Sequence, residues 1–193
     1  MSIESPLPYC IVVTGRPGSG KTTLARLLGE RAFLPVLSRD AIKEGFVHTL
    51  GLRHCELPGD ANAAATQTFF QAVELLLKNN VSLVAEAAFQ HPLWASFLEP
   101  LLPRARVRIV LCETTHPEES LRRFVVRGLT NPMREYFHGD KGVAMARKEL
   151  PPSVSSYDAP HLNAPTFHIC TDDGYRPSIE HLIDQLFTQE EEP

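Results

Sequence analysis

The chain contains a glycine-rich run, Gly15-Arg16-Pro17-Gly18-Ser19-Gly20-Lys21-Thr22, between a strand signal and a helix signal. The apolar segment 9–14 precedes this run, and apolar residues follow it at helical spacing between Leu24 and Leu28. Glycine, four residues and then Gly-Lys-Thr is the P-loop pattern, in which backbone N–H groups surround one point at the start of a helix. We therefore predict a strand, a phosphate-binding loop and a helix in succession.

We expect this loop to hold the phosphates of a nucleoside triphosphate. Lys21 supplies a positive charge for the β- and γ-phosphates, and the Thr22 hydroxyl supplies a ligand for Mg²⁺. Mg²⁺ carried by the nucleotide is the metal that the sequence predicts, because the eight histidines show no zinc-ligand spacing. A chance glycine loop is the structural alternative. The predicted nucleotide-binding residues are Gly15, Pro17, Gly18, Ser19, Gly20, Lys21, Thr22 and Thr23.

Strand and helix signals alternate along the chain after the glycine loop. This alternation predicts an α/β fold with a parallel sheet that helices cover on both faces, and with ligands at the carboxyl ends of the strands. A chain of 193 residues is long enough for one domain with a substantial core. The expected strands are 9–14, 34–37, 81–85, 106–112 and 166–170. The expected helices after the first are 40–50, 62–79, 92–102, one that opens at 115–118 and runs toward 127, and 178–187.

Three segments between and after these elements have their own patterns. The sequence Thr115-His116-Pro117-Glu118 is typical of a capping box with an early proline, which predicts the start of a helix. Residues 128–152 are polar and irregular, with a short helix indicated near 141–149. We expect the region from about 128 to 163 to form a lid over nucleotide and acceptor. The chain ends in an acidic tail, residues 189–193.

Two acids at strand ends, and a lysine one helical turn after the first of them, are candidates for chemistry beyond phosphate binding. Asp40 follows the second strand, where an acid can orient or deprotonate a substrate hydroxyl; it is equally placed to cap the next helix. Lys43 lies one helical turn further on, either at the same site or as a solvated helix lysine. Glu86 ends the third strand and is suited to a role at Mg²⁺ or at the acceptor, with a hydrogen-bonded structural acid as the alternative.

Arginines form a dense positive group near the predicted lid. Arg123 and Arg127 are four residues apart, so they share one helix face and are suited to stabilising charge on a transferring phosphoryl group. The alternative for the whole group, Arg122, Arg123, Arg127 and Arg134, is a solvated basic face that pairs with Glu118 and Glu119. The loop Phe89-Gln90-His91 is a further candidate for the acceptor pocket, although a surface position is favoured for His91.

The composition and net charge of the chain argue against long nucleic acid and a membrane as binding partners. The net charge of −4 lacks the basic footprint of a protein that grips long nucleic acid, and no apolar run is long enough to cross a bilayer. The N-terminus shows no secretory signal, and the four cysteines are far apart, which predicts buried reduced thiols and a cytoplasmic location. A guanine-reading Asn-Lys-x-Asp motif is absent, so a GTPase switch is not expected.

The segments 15–23, 38–43 and 83–89, together with Arg123 and Arg127, resemble the small P-loop kinases of the polynucleotide-kinase-like and zeta-toxin-like group. The resemblance covers roughly residues 9–130. It implies a five-stranded parallel sheet, ATP as phosphoryl donor and Asp40 as the base toward an acceptor hydroxyl. It also implies that Lys43, where the polynucleotide-kinase pattern has Arg, helps to hold the acceptor. Glu86 is similar to the zeta-toxin pattern, and the two arginines match lid arginines.

We therefore expect an ATP-dependent phosphotransferase that acts on a hydroxyl of a small molecule. The proposed catalytic residues are Lys21, Asp40, Arg123 and Arg127; Asp40, Lys43 and Glu86 contact the acceptor, and Thr22 and Glu86 serve the metal. Two alternatives stay open at this point. One is a non-catalytic or regulatory nucleotide-binding protein, and the other is a kinase that acts on nucleotide or nucleic-acid ends. The sequence does not indicate the oligomeric state.

Overall fold

The structure, a computed structural model, describes residues 6–131, 133–139, 141–153 and 156–188. Five strands within these residues form one parallel sheet with the order β2-β3-β1-β4-β5, which confirms the predicted fold class. The acidic tail at 189–193 and the first five residues lie outside the described residues. The strands are β1 (Tyr9–Gly15), β2 (Val36–Ser38), β3 (Leu83–Glu86), β4 (Arg106–Glu113) and β5 (Thr166–Cys170).

Helices cover the sheet on both faces, as the alternating pattern predicts. Along β1, Cys10 and Val12 pack into one core, while Ile11 and Val13 pack into the other, because successive side chains of a strand point to opposite faces. Helices α3 and α4 cover the first face, and α1 and α8 cover the second. The helices are α1 (Lys21–Ala32), α2 (Arg39–Leu50), α3 (Ala61–Lys78), α4 (His91–Leu98), α5 (Pro117–Thr130), α6 (Met133–His138), α7 (Lys141–Ala146) and α8 (Ile179–Phe187).

The largest departure from the sequence prediction lies in the region expected to be irregular. This region contains α6 as well as the indicated α7, and α5 continues to Thr130. The stretch predicted as helix 92–102 divides into α4 and a 3-10 turn at Glu99–Leu101, because Pro100 offers no backbone N–H for a continuous α-helix. A further 3-10 turn, His54–Glu56, interrupts the loop predicted at 51–60.

The predicted capping box at the start of α5 is not formed. The N-cap residue is His116, whose side chain makes no capping hydrogen bond, and Pro117 occupies the first helical position. Thr115 precedes the N-cap by one residue, and its backbone N–H donates instead to Oδ2 of Asp172 at 2.8 Å. The proline was therefore a better marker of the helix start than the Thr-to-Glu spacing.

The four cysteines are free, as predicted, but they are not all buried. Cys10 and Cys112 are buried on the sheet, and burial raises the pKa of each thiol to about 12. Cys170 is half-buried, whereas Cys55 is exposed in the 3-10 turn before α3.

Within the described ranges, no helix combines the length and the apolar character needed to span a lipid bilayer.

Candidate active site

The backbone of the glycine loop adopts conformations and close contacts that side chains at its glycine positions would prevent. Gly15, Gly18 and Gly20 all have positive φ, at 145°, 83° and 85°, which residues with a side chain rarely adopt. A Cβ on Gly18 would overlap the carbonyl oxygen of Ser120, and one on Gly15 would overlap the carbonyl oxygen of Cys112. Gly15 and Gly18 therefore let the loop pass close to the neighbouring strand and helix, and Gly20 supplies the positive φ before α1.

The loop leaves polar groups available to a ligand. No side chain caps the N-terminus of α1, and the first turn carries no acidic residue, so its backbone N–H groups can receive an anion. The Ser19 hydroxyl is buried and has no hydrogen-bond partner among the described residues. Lys21 is also buried, with its Nζ atom 4.0 Å from Oε1 of Glu86. This arrangement fits the phosphates of a nucleotide.

Glu86 connects the loop to two strands of the sheet. It ends β3, which lies between β2 and β1, and its side chain is buried. Oε1 accepts a hydrogen bond from the Thr22 hydroxyl at 3.1 Å, and Oε2 accepts one from the Ser38 hydroxyl at 2.6 Å. Mg²⁺ prefers carboxylate, hydroxyl and phosphate oxygens. Thr22 and Glu86 therefore fit the nucleotide-bound Mg²⁺ that the P-loop implies, and Ser38 fixes the carboxylate orientation.

Asp40 lies in the first turn of α2 and does not cap it. The N-cap residue is Ser38, and Arg39 Nη1 lies 3.4 Å from the Asp40 carboxylate. Desolvation favours a higher pKa for Asp40, but the charges of His138, Lys21 and Arg39, with the Arg39 hydrogen bond, outweigh it and lower the pKa. The carboxylate is therefore ionised at neutral pH and ready to accept a proton or a hydrogen bond.

Lys43 is buried, which differs from the solvated helix lysine that was the alternative. Only 5% of the residue is exposed, and Nζ donates to the backbone carbonyl of His138 at 3.3 Å. Burial and the charge of Arg39 lower the pKa of Lys43 to about 8, against the opposing effect of Asp40. The ammonium form still predominates at neutral pH.

Helix α6 covers this end of α2. His138, the last residue of α6, pairs through Nε2 with Oε1 of Glu44 at 2.8 Å. Burial lowers the pKa of His138, opposed by the nearby charges of Asp40 and Glu44 and assisted by Arg134. The contact joins the first part of the predicted lid to the helix that carries Asp40 and Lys43.

The two arginines expected to act together face different places. Arg127 lines the cavity that contains Lys21 and Asp40. Arg123 does not line it: its guanidinium donates to the carbonyl oxygens of Thr171 at 2.9 Å and Asp172 at 2.8 Å. Arg123 also donates to Glu119 at 2.8 Å, and Arg122 pairs with the same carboxylate at the surface. Pairing with Glu119, which the solvated-face alternative expected, is therefore found for both Arg122 and Arg123.

One cavity of about 1000 Å³ joins most of the predicted site residues. The glycine loop, β3 and helices α1, α2, α5, α6 and α7 all contribute lining residues. The residues that both define it and were expected at the site are Pro17, Lys21, Thr22, Thr23, Asp40, Lys43, Glu86 and Arg127. The volume is sufficient for a triphosphate and a small second ligand.

The loop after Glu86 lines this cavity through Ala88, but not through Phe89, Gln90 or His91. Phe89 packs in an aromatic cluster, with its ring centroid 5.2 Å from that of Trp94. The Gln90 side chain accepts a hydrogen bond from the backbone of Asp158, and His91 stacks on His161 with ring centroids 3.5 Å apart. The apolar character of Phe89 favours the core, so its side chain packs away from the cavity.

Comparison with known proteins places the chain in a family. Residues 10–147 match the AAA_33 family, which is described as an AAA domain. The chain belongs to this family. A comparison with curated proteins gave no match. The resemblance to small P-loop kinases is confirmed at the level of the fold.

Solved structures with the same fold include kinases. A candidate kinase from Chloroflexus aurantiacus J-10-fl is 24% identical with a TM-score of 0.76, covering 94% of this chain and 97% of its own. APS kinase CysC from Mycobacterium tuberculosis, in complex with AMPPNP and APS, is 18% identical with a TM-score of 0.62 over 95% and 100%. A structure from the PezAT toxin–antitoxin system of Streptococcus pneumoniae is 17% identical with a TM-score of 0.57 over 96% and 80%.

Several residues in or near the site of this AAA_33 member were not among those predicted from the sequence. Arg39 and Glu44 flank the predicted Asp40 and Lys43 on α2, and His138 comes from a helix that was not predicted. Tyr157 lies beyond the lid helices, and its hydroxyl hydrogen-bonds Oγ1 of Thr14, directly before the glycine loop, at 2.6 Å. Helical spacing from Asp40 would have pointed to Glu44, whereas His138 and Tyr157 are distant in sequence and had no such guide.

Proposed function

We propose that this protein transfers the γ-phosphate of ATP to a hydroxyl group of a small molecule. The observation that carries the proposal is that Asp40 and Lys21 line the same cavity. A carboxylate facing a phosphate-binding loop is the arrangement that phosphoryl transfer to a hydroxyl needs, because the acceptor must be oriented and lose a proton. A protein that only bound nucleotide would not need it.

The glycine loop and its neighbours would bind the donor. Its backbone N–H groups and Lys21 would hold the β- and γ-phosphates. Thr22 and Glu86 would hold Mg²⁺, which neutralises charge on the phosphates when it is bound. The Ser38 hydrogen bond keeps the Glu86 carboxylate in place for this role.

Asp40 would act on the acceptor. In the proposed step, the acceptor hydroxyl gives its proton to the Asp40 carboxylate while its oxygen forms a bond to the γ-phosphorus. The bond between that phosphorus and the β–γ bridging oxygen breaks, and ADP leaves. Arg127 would stabilise the charge that develops on the transferred group.

Arg123 would serve the nucleoside end instead of the reacting phosphate. A second cavity of about 250 Å³ lies between Arg123, Thr171 and Tyr175. Thr23 lines both cavities, so the second one adjoins the glycine loop. We infer that the adenine base lies there, and that the bonds from Arg123 to the 171–172 backbone shape this cavity. This revises the role that the sequence suggested for Arg123.

The region from about 128 to 163 would act as a lid on a single domain. Helix α6 covers α2 through the pair of His138 with Glu44, and Tyr157 returns the chain to β1. The dependence on ATP and the free thiols support a cytoplasmic location.

An acceptor screen tests the proposal. ADP release would be measured with Mg²⁺ and ATP in the presence of nucleosides, sugars, aminoglycosides or oligonucleotide 5′-ends. We expect acceptor-dependent release from the wild type and only background release from Lys21→Ala. Equal release from the variant would contradict the assignment. Tight ATP binding without release for any acceptor would favour the non-catalytic alternative.

A further inference from the structure

The segment 156–161, near the end of the predicted lid region, places the Tyr157 hydroxyl against the start of the glycine loop. Its oxygen lies 2.6 Å from Oγ1 of Thr14, the residue directly before Gly15, across 143 positions of sequence. The hydroxyl also hydrogen-bonds the Gly15 backbone, and the Arg16 guanidinium lies over the tyrosine ring, 6.0 Å from its centroid. One side chain thus contacts three consecutive residues at the point where β1 becomes the loop.

The other hydrogen bonds of Thr14 determine which of the two hydroxyls is the donor. Thr14 is buried, and the single proton of its hydroxyl goes to the carbonyl oxygen of Ala87 at 2.8 Å. The same Thr14 oxygen accepts from Nε1 of Trp94 at 3.2 Å. Tyr157 therefore donates to Thr14 and fills the second acceptor position of that oxygen. Burial raises the pKa of Tyr157, against the opposing effect of its bonds to Thr14 and Gly15, so the hydroxyl keeps this proton at neutral pH.

The rest of the segment 156–161 is held in place without this hydroxyl. The backbone N–H of His91 donates to the carbonyl of Asp158 at 2.8 Å, and the backbone N–H of Asp158 donates to Oε1 of Gln90. The backbone N–H of His161 donates to Nδ1 of His91 at 3.2 Å. These contacts attach the segment to the loop after β3. The Tyr157 hydroxyl is therefore not required for this attachment, and its bonds act mainly on the glycine loop.

The residues that Tyr157 contacts lie where a small displacement affects the bound phosphates. Gly15 begins the loop with a φ of 145°, and the Arg16 side chain lines the main cavity together with Lys21. A shift at the start of the loop moves the backbone N–H groups that follow it and that suit a phosphate. By thermodynamic reciprocity, a nucleotide that fixes the loop also favours the docking of Tyr157 on it.

We propose, building on nucleotide binding by the glycine loop in the function above, that Tyr157 is a positioning residue for the phosphoryl donor. Its hydroxyl holds Thr14 and Gly15 so that the loop keeps the shape that binds phosphates. Tyr157 does not line the main cavity, so it acts through the loop and not on the phosphates themselves. Because the bond joins the lid region to the loop, bound nucleotide stabilises both the loop and the segment 156–161.

Nucleotide binding by Tyr157→Phe tests this role without relying on turnover. In calorimetric titrations with Mg²⁺ and AMPPNP, we expect the Kd to rise about 3- to 10-fold, the fold-change that corresponds to one neutral hydrogen bond. Tyr136→Phe is the matched control. It removes the hydroxyl of a lid tyrosine that also has an arginine 6.0 Å from its ring centroid, and whose hydroxyl has no hydrogen-bond partner among the described residues. A wild-type Kd in Tyr157→Phe would overturn the inference.

Hydrogen exchange of the wild type tests the coupling and needs no variant. Mg²⁺ with AMPPNP should slow amide exchange in peptides that cover 156–161. This slowing should be lost in Tyr157→Phe and retained in Tyr136→Phe. A segment that is docked only for structural reasons would exchange at the same rate with and without nucleotide, and that result in the wild type would overturn the inference.

A second variant removes the same hydrogen bond from its other end. Thr14→Val deprives the Tyr157 hydroxyl of its acceptor, so adding Tyr157→Phe to Thr14→Val should leave the Kd for AMPPNP unchanged. Effects of the two substitutions that multiply would mean that Tyr157 does not act through Thr14, and would overturn the inference.

Turnover separates this inference from the proposed function. We expect the KM of Tyr157→Phe for ATP to rise by the same factor as the Kd, with kcat at saturating ATP within about twofold of the wild type. Acceptor-dependent ADP release with a wild-type KM for ATP would overturn the role of Tyr157 and leave the kinase assignment intact. A Kd for AMPPNP that depends on Tyr157, with no ADP release for any acceptor, would support the role and count against the kinase.

Discussion

The Ser38 hydroxyl donates a 2.6 Å hydrogen bond to Oε2 of Glu86, linking the ends of the neighbouring strands β2 and β3. The other carboxylate oxygen accepts from Thr22 at the start of α1. Both oxygens of a buried carboxylate are thus oriented by groups from two further elements. This is the geometry expected of a residue that holds a metal ion or its ligand in a fixed place.

Glu86→Gln is expected to weaken the dependence on metal rather than the fold. The amide keeps one acceptor oxygen but loses the negative charge, so activity at limiting Mg²⁺ should fall by about 10- to 100-fold. Initial rates against Mg²⁺ concentration, with the melting temperature measured alongside, check this. Glu113→Gln is the matched control, because Glu113 ends strand β4 of the same sheet and its carboxylate pairs with the exposed His168. An unchanged Mg²⁺ dependence in Glu86→Gln would argue for a structural acid.

Asp40→Asn is expected to lose phosphoryl transfer and keep ATP binding. Removal of a general base costs about 10²- to 10⁴-fold in rate, whereas Asp40 makes no capping bond whose loss would destabilise α2. Single-turnover rates, ATP affinity and the melting temperature would be compared. Asp60→Asn makes the same change at the N-cap of α3, where the side chain also forms no capping bond, and should keep full activity. Transfer at the wild-type rate in Asp40→Asn would remove Asp40 from the mechanism.

Arg127→Ala is expected to affect mainly the rate of transfer, whereas Arg123→Ala is expected to affect stability and ATP binding. Arg127 lines the reaction cavity, so its loss should slow transfer at least tenfold with little change in melting temperature. Arg123 donates to two backbone carbonyls of the loop before α8, so its loss should lower the free energy of unfolding by about 1–3 kcal/mol. Arg123→Ala should also raise the KM for ATP. Identical effects of the two variants on kcat would restore the paired role suggested by their spacing.

The sequence was sufficient for the parts of the site that are local. The glycine loop, Asp40 and Glu86 each follow directly from the end of a strand, where parallel sheets bring functional residues together. Lys43 followed from Asp40 through helical spacing. The position of each of these residues could be predicted because it lies within one helical turn of a strand or helix that the hydrophobic periodicity identifies.

Local sequence patterns could not predict contacts between segments that are far apart in the sequence. Arg123 and Arg127 share a helix face, yet the position of Thr171, 48 residues away in sequence, determines that Arg123 faces another cavity. His138 meets Glu44 across 94 residues. Helix α6 has only six residues, too few to show a periodic pattern. Such contacts depend on how the lid folds back onto α2, which no local signal specifies.

Activity at alkaline pH is expected to depend on Lys43. Its pKa of about 8 means that the ammonium loses its proton as pH rises through 8, so kcat/KM for an acceptor that the Lys43 ammonium holds should fall about tenfold per pH unit above that value. Lys43→Arg should keep activity to beyond pH 10, because guanidinium stays charged. The check is a pH profile of kcat/KM for both proteins, with the melting temperature measured at each pH.

The lowered pKa of Lys43 also affects stability. The Lys43 contribution to the free energy of unfolding should rise with pH, whereas the activity should fall. The unfolded chain holds the Lys43 proton up to about pH 10.4, whereas the folded chain releases it near 8. Between these values the unfolded state binds more protons, so the Lys43 contribution to the free energy of unfolding rises with pH. Lys43→Met, which carries no buried charge, should therefore be more stable than the wild type at pH 7, and the difference should shrink by pH 10. A constant difference across this range would mean that Lys43 titrates normally in the folded protein.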